Sequence, residues 1–443
     1  MTESKLGVLE AVSFALGGVI GGGIFAVLGV VAAVAGTTAW IAYLLAGIVV
    51  MATGYSYVKL NAHSSRTDGS GGAVSFIDEF LDRPKIAGMV GWTLLVGYVG
   101  TIAMYAYAFG TYFGAIFGLS ELPVVGLPAR PVISTLIVVG FIALNLVGVR
   151  ESGLVEDALV GLKLLIIVLF SAIGIWYGHS HDMLSFGIAQ SLAHPVGPFI
   201  AAGVAFVSFE GWQLLFYDQG SITNPVRTLR KAVYVSIPVS TLAYVLVAFV
   251  TLSLVSQQEV AAHPDLALAI AADQFAGTVG YVAIGVAAVA STASAINATL
   301  FSAALFAKGL RSDALIPDQI ASARERGAPT NALLLIGGFT IVFTVYGDLA
   351  AITEFASMSF IVVFGIVNAV ALMQDSVPNR WISLVGLVGT LLFLPLFAWH
   401  LYTAEFHVFV LVVAIATALL LVEGVYFERE EIESGFRSVE KRL

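Results

Sequence analysis

Apolar runs of about twenty residues recur along nearly the whole chain, and this leaves one class of fold open. In hydrocarbon every backbone N–H and C=O has to be paired within the protein, so a spanning run of that length is an α-helix. Twelve such runs are present, at roughly 8–33, 37–60, 87–116, 131–149, 153–176, 196–217, 230–255, 278–307, 330–347, 352–374, 381–400 and 404–427. Only 11% of the 443 residues are charged, against roughly 25% in a soluble domain. The first run continues as a full span instead of ending at a cleavage site, so it reads as a crossing and not as a signal segment. With no cysteine in the chain, disulfide and thiol chemistry are excluded.

The distribution of positive charge orients the crossings, because Lys and Arg collect on the cytoplasmic side. With the N-terminus inside and twelve crossings, 18 of the 20 Lys and Arg residues fall on one face. Arg130 stands alone on the other face, and Lys163 lies inside a crossing. A different number of crossings would scramble this division. The expectation is a multi-pass protein of the cell membrane with both termini cytoplasmic. Its first partner is the lipid bilayer, and no nucleic-acid partner is expected.

The loops are short. Asp68-Gly69-Ser70-Gly71-Gly72 leads into Ala73–Leu81, an amphipathic stretch expected to lie as a short helix at the inner interface. The outer segment 177–195 holds His179, His181, Asp182 and His194; histidines in an exposed polar loop are ordinarily solvated, and no metal site is expected. The charged tail 428–443 is expected to fray.

Two crossings contain interruptions that hydrocarbon does not tolerate unless they line a protected cavity. The first is Gly17-Gly18-Val19-Ile20-Gly21-Gly22-Gly23 and the second is Ser208-Phe209-Glu210-Gly211-Trp212. Breaks at matching places in two halves of a chain point to a transporter site near the membrane midplane. Crossings one to five (8–176) and six to ten (196–374) would then be two repeats. Five is odd, so the second repeat is inverted; crossings eleven and twelve (381–427) stand outside the repeat.

At the first break, Gly21, Gly22 and Gly23 allow a ligand to approach the backbone and allow positive φ without strain. A half-helix starting near Gly23 would offer unpaired N–H groups to a carboxylate. One ending near Val19 and Ile20 would offer carbonyls to an ammonium. Such a pair fits a zwitterion, that is, an α-amino acid. Close helix packing through small residues is the alternative use of the same glycines. The carbonyls of Phe206, Val207 and Ser208 would form the second wall, with Phe209 either closing over the solute or serving as an ordinary core aromatic.

Two charges lie clearly near the centre of a crossing. Glu210 costs several kcal/mol there unless neutralised or partnered; it is read as functional, with a hydrogen-bonded Glu that steadies the break as the alternative. Lys163 is about ten residues from either end of its run, roughly 15 Å at 1.5 Å per residue, beyond the reach of a snorkelling lysine. Burial favours a neutral amine, which suits a proton carrier; a fixed ammonium in place of a sodium ion is the other reading.

These features resemble the amino acid–polyamine–organocation superfamily of permeases over nearly the whole length. Gly21-Gly22-Gly23-Ile24-Phe25 resembles that family's G-(S/A/G)-G-I-F signature, and Ser70-Gly71-Gly72-Ala73 its SGGA loop. Phe206–Gly211 followed by Ile222-Thr223-Asn224-Pro225 is similar to the sixth span and its I-x-N-P sequel. Leu315-Ile316-Pro317 and Pro329-Thr330-Asn331-Ala332 also match the pattern. The resemblance implies an all-α polytopic protein with a LeuT-like 5+5 inverted repeat and two added C-terminal helices. It implies a solute carboxylate on the N–H groups of Gly22 and Gly23, and an ammonium near the carbonyls of Val19, Ile20, Phe206 and Val207. Thr101 and Met104 of the third span would line the side-chain pocket. Lys163 matches the fifth-span lysine of the proton-coupled branch, with Ser291, Thr292 and Ser294 as candidate partners. Glu210 departs from relatives that are apolar there, so a neutral solute does not follow.

The function expected is secondary active import of an amino acid by proton symport, without a cofactor. An amino acid or polyamine exchanger of the same fold, with Lys163 as a fixed charge, is the nearest alternative. An intramembrane hydrolase lacks a motif: no HExxH or GxSxG occurs.

Overall fold

The computed structural model describes residues 5–65, 71–121, 126–148, 153–321 and 328–440. Arg66, Arg150, Arg324, Arg326, Lys441 and Arg442 of the charge count, and Asp68-Gly69-Ser70 of the glycine-rich loop, lie outside these residues. The chain is almost wholly helical: α1 Val8–Ala35, α2 Ala39–His63, α3 Gly72–Leu81, α4 Pro84–Phe117, α5 Ala129–Val147, α6 Gly153–Ser180 and α7 Ile188–Ala193. The second half continues with α8 Gly197–Val204, α9 Pro225–Leu254, α10 Gln257–Ala262, α11 Ala267–Ser312, α12 Thr330–Tyr346, α13 Leu349–Met373, α14 Trp381–Ala404 and α15 Phe406–Glu440. Each apolar run of the sequence has its helix, and the interfacial stretch forms α3.

Local chemistry fixes the helix ends. Pro84 and Pro225 open α4 and α9 at the position where a missing N–H costs nothing. Asp348 caps α13 by accepting from the Ala351 N–H at 2.8 Å. Gly118 and Gly148 close α4 and α5 in the left-handed conformation. In the 46 residues of α11, Gly277 at φ 57 and ψ −155 divides an outer segment from the eighth crossing, one residue before the apolar run at 278.

Counterpart crossings of the two halves pack on each other: α1 on the sixth crossing, α2 on α9, α4 on α11, and α5 on α12. That is the pairing a two-fold relation between inverted repeats produces. The first crossing is buried almost throughout, whereas α5 and α14, and α15 over Phe406–Val422, turn much of their surface outward.

Two expectations need correction. The first crossing is not broken: α1 is one helix from Val8 to Ala35, and its glycines serve close packing. A Cβ at Gly18 would lie 3.0 Å from Gly211 Cα, one at Gly21 2.5 Å from the Ala295 Cβ, and one at Gly23 2.7 Å from the Ser208 carbonyl oxygen. At Gly22 it would overlap the Tyr105 ring. The tail also does not fray at 428; α15 runs to Glu440, as its many helix-forming Glu and Arg residues favour.

Candidate substrate-binding site

The sixth crossing is broken. After α8 the chain tightens into a 3₁₀ turn over Ala205–Phe209, becomes extended at Glu210, passes through Gly211 at φ 125, and resumes as 3₁₀ over Trp212–Tyr217. Gly211 is required there on two counts. Its φ lies in the region open to glycine, and a Cβ would be 2.5 Å from the Gly18 carbonyl carbon. The break is thus seated on the first crossing, glycine against glycine.

Backbone groups freed by the break find side-chain partners, as a hydrocarbon interior demands. Ser357 of α13 donates to the Val204 carbonyl at 2.7 Å and accepts from the Val207 N–H at 3.1 Å. The Ser208 hydroxyl donates to the Gly23 carbonyl at 3.3 Å. The Tyr244 hydroxyl lies between two carbonyls, those of Val19 and of Ser208, the latter at 2.8 Å. It has one proton and can satisfy only one of them at a time. Phe209 is buried edge-on against the Tyr244 ring, with centroids 5.2 Å apart, and Phe206 packs similarly on Phe364 at 5.6 Å.

Glu210 is 1% exposed. Its Oε2 accepts from the Tyr105 hydroxyl at 3.2 Å and its Oε1 from the Gln213 amide at 3.3 Å. Gln213 in turn accepts from the Gly211 N–H at 3.0 Å. Tyr105 therefore joins Glu210 to Gly22, whose face its ring covers. Thr101 and Met104 precede Tyr105 on α4 and are fully buried, with Thr101 donating to the Gly97 carbonyl at 3.0 Å.

Lys163 is 2% exposed on α6, which packs against α1, α9 and α11. Of its three candidate partners, Ser291 reaches the first crossing, donating to the Ile20 carbonyl at 2.8 Å. Thr292 bonds back to Ala288 of its own helix at 2.7 Å, and Ser294 is half-buried. The carbonyls of Val19, Ile20 and Gly23 thus face hydroxyls, while Gly21 and Gly22 present bare helix surface to Ala295 and Tyr105.

Sequence reasoning missed Tyr105, Gln213, Tyr244 and Ser357. A signal existed for Tyr105, one turn beyond Thr101 on the same helix face, and for Gln213, one turn after Glu210. Nothing in the sequence marks Tyr244 or Ser357 among the other polar residues of their crossings. Glu354, also 2% exposed, is a further acid buried within a crossing; its place near the end of its run gives it no mark in the sequence.

The amino acid permease family profile matches residues 6–422. The inner membrane transport protein YbaT of Escherichia coli is 28% identical over 406 residues, covering 90% of this chain and 91% of that one. The serine/threonine exchanger SteT of Bacillus subtilis is 26% identical over 285 residues, covering 63% of this chain and 61% of that one. Among solved structures, the Eremococcus coleocola manganese transporter superposes with a TM-score of 0.59 at 12% identity, covering 96% of this chain and 94% of that one.

Proposed function

The chain belongs to the amino acid permease family, and on that premise we propose that it carries an amino acid across the cell membrane by alternating access, coupled to proton symport. The observation that carries this reading is the break of the sixth crossing at Glu210-Gly211, pressed against Gly18 in the membrane interior. Residues 8–176 and 196–374 are the two inverted repeats, 381–427 is an appendage, and both termini are cytoplasmic.

In this reading the helical first crossing is one conformation of the cycle. Each interior glycine makes a helix about 1 kcal/mol less favourable than alanine would, so the five between 17 and 23 lower the cost of unwinding by about 5 kcal/mol. Unwinding at Gly21–Gly23 would free N–H groups for a solute carboxylate. The carbonyls of Val19 and Ile20, now facing Tyr244 and Ser291, would take the ammonium. Phe209, Thr101 and Met104 surround the remainder of the solute.

Lys163 is the proton carrier. Protonated from outside, it holds the first crossing in place; losing the proton inside, it lets go. In proteoliposomes, Lys163→Ala should abolish accumulation driven by a pH gradient while counterflow of the same amino acid persists. Unchanged accumulation would remove the lysine from the coupling. SteT, named an exchanger, favours a second reading in which Lys163 is a fixed charge and exchange is obligatory; counterflow of the unmodified chain with no dependence on pH would select it.

A further inference from the structure

Nothing in the transport cycle so far uses Glu210. It is held by a phenol and an amide, both neutral donors, and among the described residues it makes no ion pair with a Lys, Arg or His. An acidic side chain inside a membrane protein is retained where a cation comes to it or where it exchanges a proton.

Three observations separate these uses. Tyr105 contacts both the Glu210 carboxylate and the face of Gly22, so the acid lies one ring away from the main chain to which the transport reading assigns the solute carboxylate. That is the distance at which an amino acid's side chain, not its backbone, would meet it. The surroundings suit an organic cation: the Tyr105 ring beside the carboxylate is available for cation–π contact, and the Gln213 amide holds the other carboxylate oxygen in place. On the face assigned outside, Glu121, Asp182, Glu259, Asp265, Asp273, Asp348 and Glu405 stand against Arg130, the one Lys or Arg there, a field that raises the local concentration of cations at the entrance.

We propose that Glu210, steadied by Tyr105 and Gln213, binds the cationic end of the solute's side chain, so that the preferred cargo is a basic amino acid such as lysine or arginine. The proposal rests on the transport reading above and names its substrate class.

The test is counterflow into proteoliposomes of the full chain, loaded in turn with lysine, arginine, leucine and glutamate. Lysine and arginine should exchange about tenfold or more in preference to leucine, and Glu210→Gln should remove about that factor from the ratio of lysine to leucine exchange. Leucine exchanging as well as lysine in the unmodified chain overturns the inference and leaves the transport reading standing. So does a Glu210→Gln variant that weakens lysine and leucine alike, since Glu210 would then serve the break or the proton. Exchange of no amino acid overturns both. Should Glu210→Gln fail to fold, heat unfolding of the unmodified protein decides: greater stabilisation by lysine than by leucine supports the proposal, and the reverse refutes it.

Discussion

A methyl group added at Gly22 has nowhere to go but into the Tyr105 ring, and the consequence extends past lost packing. Tyr105 would have to swing away from Glu210, so one carbon atom would disturb the first, third and sixth crossings together. Overpacking of this kind costs about 1–3 kcal/mol. Gly22→Ala should therefore lower the unfolding temperature of the purified protein and weaken transport. Gly161 is the control, since a Cβ on α6 there meets open space. Gly161→Ala should leave transport intact and stabilise the helix by up to about 1 kcal/mol. Equal effects of the two substitutions on the unfolding temperature would contradict the packing role given to Gly22.

At the scale of elements, the twelve crossings were legible because the bilayer imposes one length and one kind of backbone pairing on all of them. The break at Glu210-Gly211 was legible because a carboxylate followed by glycine has no place in a regular spanning helix. The first crossing was misread for a physical reason: the residues that ease unwinding are the ones that permit close packing, and the sequence does not say what stands opposite. Only the fold shows that Ala295, Tyr105, Ser208 and Gly211 fill those positions. The same limit hid Ser357, whose partners are about 150 positions away in the chain. Removing its hydroxyl takes away the buried bonds to the Val207 N–H and the Val204 carbonyl, each contributing about 1 kcal/mol. Ser357→Ala should lower the unfolding temperature accordingly, and Ser357→Thr, which keeps the hydroxyl, should recover most of the loss. A Ser357→Thr variant no better than Ser357→Ala would mean that this hydroxyl does not hold the break.

At the scale of the whole molecule, contacts close the chain on both sides of the break. At the end that carries the N-terminus, the Leu6 N–H donates to the Ser221 carbonyl at 2.8 Å and the Thr223 N–H to the Leu6 carbonyl at 2.9 Å, strapping the start of α1 to the chain beyond the break. The Tyr98 and Tyr217 hydroxyls bond to each other under the site, and Gly71 at φ 65 presses the start of α3 onto the Phe216 carbonyl. At the opposite end, the Tyr112 hydroxyl reaches the Phe25 carbonyl at 3.4 Å, and Pro264 lies on Gly29. Alternating access requires these closures to open one at a time, so weakening one should expose the centre from that side and protect it from the other. The chain contains no cysteine, and Ser208 is fully buried between the two closures, so Ser208→Cys supplies one reporter thiol, with Ser208→Cys in the otherwise unmodified chain as the reference. Tyr217→Phe removes the bond to Tyr98 without removing the ring, and a hydrogen bond of this kind contributes about 1 kcal/mol, enough for roughly a fivefold shift in population. A membrane-impermeant thiol reagent should then modify the thiol introduced at position 208 several-fold faster in inside-out vesicles and more slowly in right-side-out vesicles. Equal acceleration from both sides would mean that the two ends open together, which is the behaviour of a channel and not of a carrier.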